Sequence, residues 1–358
     1  MSKLYKIVAI NLGSTSTKIA YYEDETCRLK SNITHAAEDL KAFASIWEQY
    51  DYRKSQIEAF LQENNIDIHG IDAIVTRGGH TVPINGGLWK ISETMLSQSA
   101  SEKFGNHATD LGLKLAYGFG AELGIPAFTA DTPSTCEFEP LARISGIPQI
   151  ERKSRFHVLN HRAVCKQYAV DQGKSYESLR LVVAHLGGGI TVSATKNGKL
   201  VDANNGLDGD GPFSTNRSGG LPVGDLVKLC FSGSYTYPEV KKLLNGNGGM
   251  MAYLGENDVR TVQNLADAGD AQAQLILDAM CYQTAKEIAA MASVLEGKVD
   301  AILLTGGIVN SKKIVEHLTR RVGWIAPVVV YPGELEMQSL CLQSLAGLRG
   351  QQEIQELS

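Results

Sequence analysis

A strand that enters a glycine- and hydroxyl-rich turn and leaves it as a second strand occurs twice in this chain, about half a chain apart. That repetition sharply limits the folds open to it. The first copy is Ile7–Tyr22, IVAINLGSTSTKIAYY. Its apolar run Ile7-Val8-Ala9-Ile10 reads as a buried strand. The turn follows (Asn11, Gly13, Ser14, Thr15, Ser16, Thr17), and Lys18 begins the return run Ile19–Tyr22. Backbone N–H groups of such a turn can converge on an anion. Hydroxyls add donors without bulk, and Lys18 adds a point charge suited to phosphate. A Walker P-loop would place its lysine at the start of a helix, and that spacing is absent. The second copy is Leu181–Leu200, LVVAHLGGGITVSATKNGKL, with the turn Gly187-Gly188-Gly189. Later, Ala301–Asn310 (AILLTGGIVN) runs a strand and the pair Gly306-Gly307 into a helix expected near Ser311. One such turn is an ordinary hairpin; two, followed by strand–GG–helix, predict a duplicated domain holding a nucleotide in its cleft.

This order resembles the actin, hexokinase and Hsp70 nucleotide-binding superfamily. The resemblance implies an α/β, ribonuclease H-like two-domain fold, with the two hairpins as phosphate motifs and Gly306-Gly307 as the adenosine motif. The 358 residues suffice for two domains with separate cores. The expected division is 1–155, completed by a C-terminal helix over 333–358, and 156–332. A net charge of −5 argues against general nucleic-acid binding. No apolar run approaches the roughly 20 residues of a membrane helix, and the start of the chain runs almost directly into a strand, so neither a membrane partner nor a signal peptide is expected. The six cysteines are scattered without a CxxC pair, which fits a reducing cytoplasm better than zinc or disulfides.

Taken in order, Glu38–Glu63 is mostly helix-forming, and Ile71–Val75 is a strand delivering Thr76-Arg77-Gly78-Gly79-His80. Arg77 is either a bidentate anion clamp or a surface arginine in a glycine turn. Ser101–Gly124 reads as a helix with an apolar stripe, containing His107 in a structural role. Ile125–Ala130 is a strand ending in Asp131, which either orients metal-bound water or substrate or caps a turn. His157 and His161 stand at i, i+4 in ERKSRFHVLNHRAV (Glu151–Val164), a possible hinge, without the glutamate of a zinc helix. His157 reads as facing phosphate and His161 as a satisfied structural histidine. His185 precedes the three glycines, and could donate to a phosphoryl group or simply bond backbone. Val201–Val223 is a long functional loop carrying Arg217. Ala271–Leu295 is a helix whose stripe is core or dimer contact. Val328–Pro332 is a strand, Gly333-Glu334 opens a helix through Leu348, and the polar stretch Gln351–Ser358 is expected to fray.

Six stretches together resemble the acetate kinase (short-chain acid kinase) family over essentially the whole chain: NLGSTSTK (Asn11–Lys18), ERKSRFH (Glu151–His157), AHLGGG (Ala184–Gly189), NNGLDGDGPFSTNRSGGLPVGDLVKLCFSG (Asn204–Gly233), LLTGGI (Leu303–Ile308) and YPGELEM (Tyr331–Met337). The fourth is closer to butyrate-using members than to acetate-using ones. The resemblance implies reversible ATP-dependent phosphorylation of a short-chain carboxylate, butyrate or a branched relative, with ATP/ADP and Mg²⁺ bound and a homo-oligomer, a dimer or a multiple of it. It implies Asn11 and Glu334 at the metal, and Ser14, Ser16, Lys18 and Gly187, Gly188, Gly189 along the phosphates. Arg77 and Arg217 would bracket carboxylate and phosphoryl, Asp131 would be the cleft acid, His157 and His185 would stabilise phosphoryl charge, and Gly306, Gly307 and Asn310 would lie near adenosine. Three departures stand out: Leu12 in place of the usual proline, His161 in place of glutamine, and the polar run Thr132–Cys136 where the family is apolar. Acetate or propionate as the acid, an actin- or Hsp70-like ATPase, and a sugar kinase are the competing readings.

A carboxylate with a pKa of roughly 4 to 5 is ionised at neutral pH, so this chemistry needs no general base. It needs cations, because like unit charges about 4 Å apart repel by roughly 4 kcal/mol at an effective dielectric of 20. Two arginines, Lys18 and Mg²⁺ meet that need.

Overall fold

The computed structural model describes residues 3–358. Among them the strands are β1 (Lys6–Leu12), β2 (Ser16–Glu23), β3 (Thr26–Thr34), β4 (Ala73–Thr76), β5 (Leu88–Lys90), β6 (Ala127–Ala130), β7 (Leu181–Leu186), β8 (Ile190–Lys196), β9 (Lys199–Ala203), β10 (Ala301–Gly306), β11 (Val328–Pro332) and β12 (Ile354–Glu356). The chain forms two compact units, one of residues up to Cys136 together with Leu335–Ser358, the other Glu137–Glu334. Residues 137–155 are tied into the second unit, where Glu137 pairs with Arg162 at 2.7 Å and Arg152 with Asp202 at 2.8 Å.

The first unit holds a sheet in the order β12-β5-β6-β4-β1-β2-β3. β1, β2 and β3 are successive antiparallel neighbours, while β4 and then β6 add in parallel. The pleat sends alternate residues of β1 to opposite faces. Val8, Ile10 and Leu12 join a core with Ile57, Leu61, Leu111, Leu115 and Phe119. Ile7 and Ala9, equally buried, are left for the face that the helix Glu336–Leu348 covers. The same alternation puts Asn11 on that second face.

The second unit repeats the pattern as β11-β10-β7-β8-β9. β7, β8 and β9 are antiparallel neighbours, and β10 and β11 add in parallel. Its core joins Val182, Ala184, Leu186 and Val192 to Leu277, Met280, Ile288 and Met291 of the helix Ala271–Val294 and to Ile314 and Leu318 of the helix Lys312–Val322. The duplication expected from the two hairpins is therefore a duplication of sheet topology.

Several local expectations are corrected. Glu38–Glu63 is interrupted, with its long helix confined to Tyr50–Glu63. The helix expected from Ser101 begins at Ala108, because His107 caps it and Asp110 completes a capping box. The last helix begins at Glu336, not at Glu334, because Gly333 has φ 83° and exchanges backbone bonds of 2.9 and 3.0 Å with Gly306. The polar tail does not simply fray: Ile354–Glu356 pairs in parallel with β5, the Ser92 hydroxyl donates to Leu357 O at 2.8 Å, and Gln355 donates to Gly86 O at 3.0 Å. Composition hid this because an edge strand is held by backbone bonds rather than by apolar side chains. Among the described residues no helix is long and apolar enough to cross a membrane.

Glu287, on the helix Ala271–Val294, is raised to about 7 from an ordinary 4.5 by burial and then by Asp210 and Asp202, against the opposing charges of Arg152 and Lys286. Between those two pH values the folded chain holds a proton that the unfolded chain has released, so stability falls as pH rises through the window. Glu287→Gln should remove that slope. Urea denaturation at pH 8 should show the variant more stable than the parent by roughly 1–3 kcal/mol, with no gain near pH 4.5.

Candidate functional site

In the first unit, Asn11 leaves the end of β1 only 6% exposed, and its Nδ2 donates to Glu336 Oε2 at 2.7 Å. Glu336 is also buried, in the first turn of the closing helix, where the helix dipole favours a carboxylate. Arg77 follows β4 and pairs through Nη1 with Glu336 Oε1 at 3.1 Å. Lys18 lies opposite Asn11 in the β1–β2 ladder, so the two side chains share a sheet face. Ser14 is exposed in the turn, and Ser16 opens β2 half-buried. The first unit thus gathers Asn11, Lys18 and Arg77 of the expected set. Glu334 is exposed and assigned to the second unit; the acid that faces Asn11 and Arg77 is Glu336, two residues on. The sequence signal was present in the run Glu334-Leu335-Glu336, but deciding between the two acids required knowing where the helix starts.

The loop that carries Arg77 is fixed from behind. A Cβ at Gly78 would overlap Thr109 O. The Gly78 N–H donates to Thr129 Oγ1 at 3.2 Å, and the Thr129 hydroxyl returns a bond to Gly78 O at 2.8 Å. His80 donates its N–H to Asp110 Oδ1 at 2.7 Å, and its Nδ1 lies 2.9 Å from Oδ2. Burial pushes the Asp110 carboxyl up, but His80 and the Ser99 hydroxyl outweigh it and hold the group below its usual range.

Asp131, at the end of β6, is 1% exposed with φ 43°. A non-glycine residue in this left-handed region costs on the order of 1–3 kcal/mol and persists where its surroundings over-determine it. Here they do: Oδ1 accepts from the Gly87 N–H at 2.9 Å, and Oδ2 from Gln343 Nε2 at 2.9 Å. Such a carboxylate is held in a fixed orientation, which suits positioning better than proton abstraction.

In the second unit, Arg217 lies against the turn Gly187–Gly189, so closely that a Cβ at Gly189 would overlap its Nη1. Nη1 donates to Gly206 O at 2.8 Å, and the Arg217 N–H donates to Ser214 Oγ at 3.2 Å. The Ser214 hydroxyl in turn donates to Gly188 O at 2.7 Å. Arg217 Nε is buried without a hydrogen-bond partner, as is Asn216 Oδ1. Burial lowers the guanidinium pKa from its usual value, yet a guanidinium stays charged at neutral pH.

Below the turn, His157 and His185 stack at 3.9 Å. Asn160 Nδ2 lies 2.9 Å from His185 Nδ1. With the amide so placed, neutral His185 carries its proton on Nε2, the atom nearest a Cβ built at Gly187. His157 Nδ1 is 2.8 Å from Thr191 Oγ1. His161 is enclosed by Ser193 and Thr191 hydroxyls at 2.6 and 2.9 Å, and burial and then His185 hold its pKa well below the usual 6.5. It is a neutral, satisfied core histidine, as the sequence suggested. Among the described residues no three His, Cys, Asp or Glu side chains gather as a metal cluster.

A cavity of about 910 Å³ opens beside the turn, lined by Gly187, Gly188, Asn216, Gly307, Asn310 and the helix Val259–Asp267. Gly306 has φ 96° and passes so close to Leu186 that a Cβ would overlap its carbonyl. Asn310 Nδ2 donates to Gly307 O at 2.9 Å. The wall formed by Arg260, Gln263 and Asn264 escaped sequence reasoning. Its signal was Asp258, which caps the helix, followed by the buried pair Val259 and Val262, a spacing that turns those polar side chains to the other side.

The acetokinase family model matches residues 147–326. Butyrate kinase 2 of Clostridium acetobutylicum is 47% identical over 349 residues, covering 98% of each chain. The chain belongs to the acetokinase family. Two crystal structures share its fold. Acetate kinase of Porphyromonas gingivalis matches with TM-score 0.78 at 18% identity over 95% of this chain and 98% of its own, and a propionate kinase of Francisella tularensis matches with 0.74 at 20% over the same shares. The fold of this acetokinase-family chain is therefore the duplicated α/β fold of the actin and hexokinase superfamily.

The donor sets fit the groups such a family uses. The Asn11 amide and the Glu336 carboxylate are hard oxygen donors, and Mg²⁺ commonly takes one or two carboxylates together with water and substrate phosphates. The unpartnered Arg217 Nε is a buried donor that an anion would satisfy. Replacing Gly306 with alanine should strain both the backbone and the Leu186 contact; urea denaturation should show a loss of about 2–4 kcal/mol.

Proposed function

We propose that this acetokinase-family chain transfers the γ-phosphoryl group of ATP to butyrate or a branched relative, giving ADP and the acyl phosphate, and runs the reverse reaction. A carboxylate oxygen forms the new bond to phosphorus, the bond from phosphorus to the bridging oxygen of ADP breaks, and no proton changes place. The observation that carries this reading is Arg217, a half-buried guanidinium whose enclosed Nε has no hydrogen-bond partner, laid on the second glycine turn beside a cavity of about 910 Å³. The 47% identity to a butyrate kinase over nearly the whole chain favours butyrate-type acids.

In this reading Arg77 holds the acid carboxylate, and Asp131 fixes the shape of the site around it. Arg217, His157 and His185 stabilise charge on the transferring group. Ser14, Ser16, Lys18 and the N–H groups of Gly187–Gly189 hold phosphate oxygens, and Gly306, Gly307 and Asn310 line the adenosine side. Asn11 and Glu336 would hold Mg²⁺, which supplies positive charge to the phosphates.

Product trapping with hydroxylamine, using butyrate, isobutyrate, propionate and acetate in parallel, tests the reaction. Butyrate or isobutyrate should give the highest kcat/KM. No acyl hydroxamate with any acid would overturn the reaction, and a preference for acetate would overturn the choice of acid. Arg77→Ala and Arg217→Ala should each lower turnover by about 10²–10³ while circular dichroism stays native; near-normal turnover in both would remove the charge-cancelling argument.

A further inference from the structure

Arg53 lies on the helix Tyr50–Glu63 and is completely buried. Its Nη1 donates to Gly13 O at 3.0 Å, to Ser16 O at 3.0 Å and to Thr17 Oγ1 at 3.1 Å, and its Nη2 donates to Ser14 O at 3.0 Å. Nε donates to Gln49 Oε1 at 2.9 Å. Every one of these partners is neutral. A buried guanidinium is ordinarily matched by a carboxylate, since desolvating an unmatched charge is expensive. This one is matched by three backbone carbonyls of a single turn. The turn is further fixed by the His35 N–H, which donates to Thr15 O at 2.9 Å, and by His35 Nε2, 2.9 Å from Thr17 Oγ1.

The consequence follows from peptide planarity. In a trans peptide the C=O and the following N–H point in opposite directions. With the carbonyls of Gly13 and Ser14 drawn onto Arg53, the N–H groups of Ser14 and Thr15 turn the other way, and Ser14 and Thr15 are the exposed residues of the turn. Donors so aligned form an anion-binding concavity. Among the described residues no carboxylate is bonded to this cation, which adds a positive field behind them.

We propose that Arg53 is a positioning residue for phosphate at the β1–β2 turn. It never touches the nucleotide; it sets the direction of the turn's N–H groups and supplies buried positive charge behind them. This rests on the kinase reading given above.

The test uses Arg53→Met, which removes the charge at similar length, and Arg53→Lys, which returns the charge without the fork. Ile57→Ala, on the same helix but in the apolar core, controls for destabilisation. Arg53→Met should lower kcat about 10²-fold, the scale expected when supporting residues shift reacting groups by about an ångström. KM for the acid should stay within threefold. Arg53→Lys should lose about tenfold. By isothermal titration, ATP should bind Arg53→Met at least tenfold more weakly than the parent, while adenosine binds both equally. Ile57→Ala, compared at equal folded fraction, should retain parental kcat and ATP affinity.

Parental kcat and ATP affinity in Arg53→Met would overturn the proposal. Should that variant fail to fold, parental values in Arg53→Lys overturn it and the tenfold loss supports it. Equal losses for ATP and adenosine would also overturn it, because a merely structural defect weakens both. If the parent makes no acyl phosphate, the kinase reading fails, while the split between ATP and adenosine still decides the role of Arg53.

Discussion

Bringing an anionic nucleophile to an anionic phosphoryl group is a problem of repulsion, and the polar architecture of this chain is organised around that problem. Water would screen the charges, but it would also compete for the phosphoryl group. On the reading proposed above, positive groups held in place answer the repulsion instead. Arg77 is paired with Glu336, Arg217 is pressed on a glycine turn, and Arg53 is sealed behind another. None of the three stands on a freely moving surface side chain. Each is fixed by carbonyls or by a buried acid, so little reorganisation is needed as charge develops.

The glycines make this possible by removing Cβ atoms where backbone and cation must nearly touch. Gly189 admits the Arg217 guanidinium, Gly78 lets the Arg77 loop lie on the helix Ala108–Leu123, and Gly306 lets β10 end against Leu186. The two sheets share a topology, but their turns are served differently. In the first unit an arginine grips the turn from the core side, and in the second it lies on the turn itself. The repeated scaffold supplies the location, and the arginines give each turn its own electrostatic character.

Much of this was legible from residue order. The apolar run Ile7–Ile10 marked β1, the repeated strand–turn–strand implied a duplicated domain, and Arg77 was marked by the glycines beside it, whereas Asn11, read as part of the turn, belongs to the end of β1. What escaped depended on contacts distant in sequence. That Glu336 rather than Glu334 faces Asn11 and Arg77 follows from where the last helix starts, just after the Gly306–Gly333 bridge. Arg53 carries no local signal, because its carbonyl partners lie 40 and 39 residues away in sequence. The strand Ile354–Glu356 has no apolar pattern of its own and is defined by the edge it joins. Local chemistry shows which residues can act; which of them do is decided by long-range packing.

The first unit is discontinuous, and this has a consequence for how the chain comes off the ribosome. The helix Glu336–Leu348 covers one face of β1 and β4, so the first sheet stays uncovered on that side until that helix has been synthesised. The second unit is continuous and can fold while it emerges. At about 5–20 residues per second, the nearly two hundred residues of Glu137–Glu334 take roughly 10–40 s to synthesise. For that interval the half-built first sheet lacks the helix that covers Ile7 and Ala9.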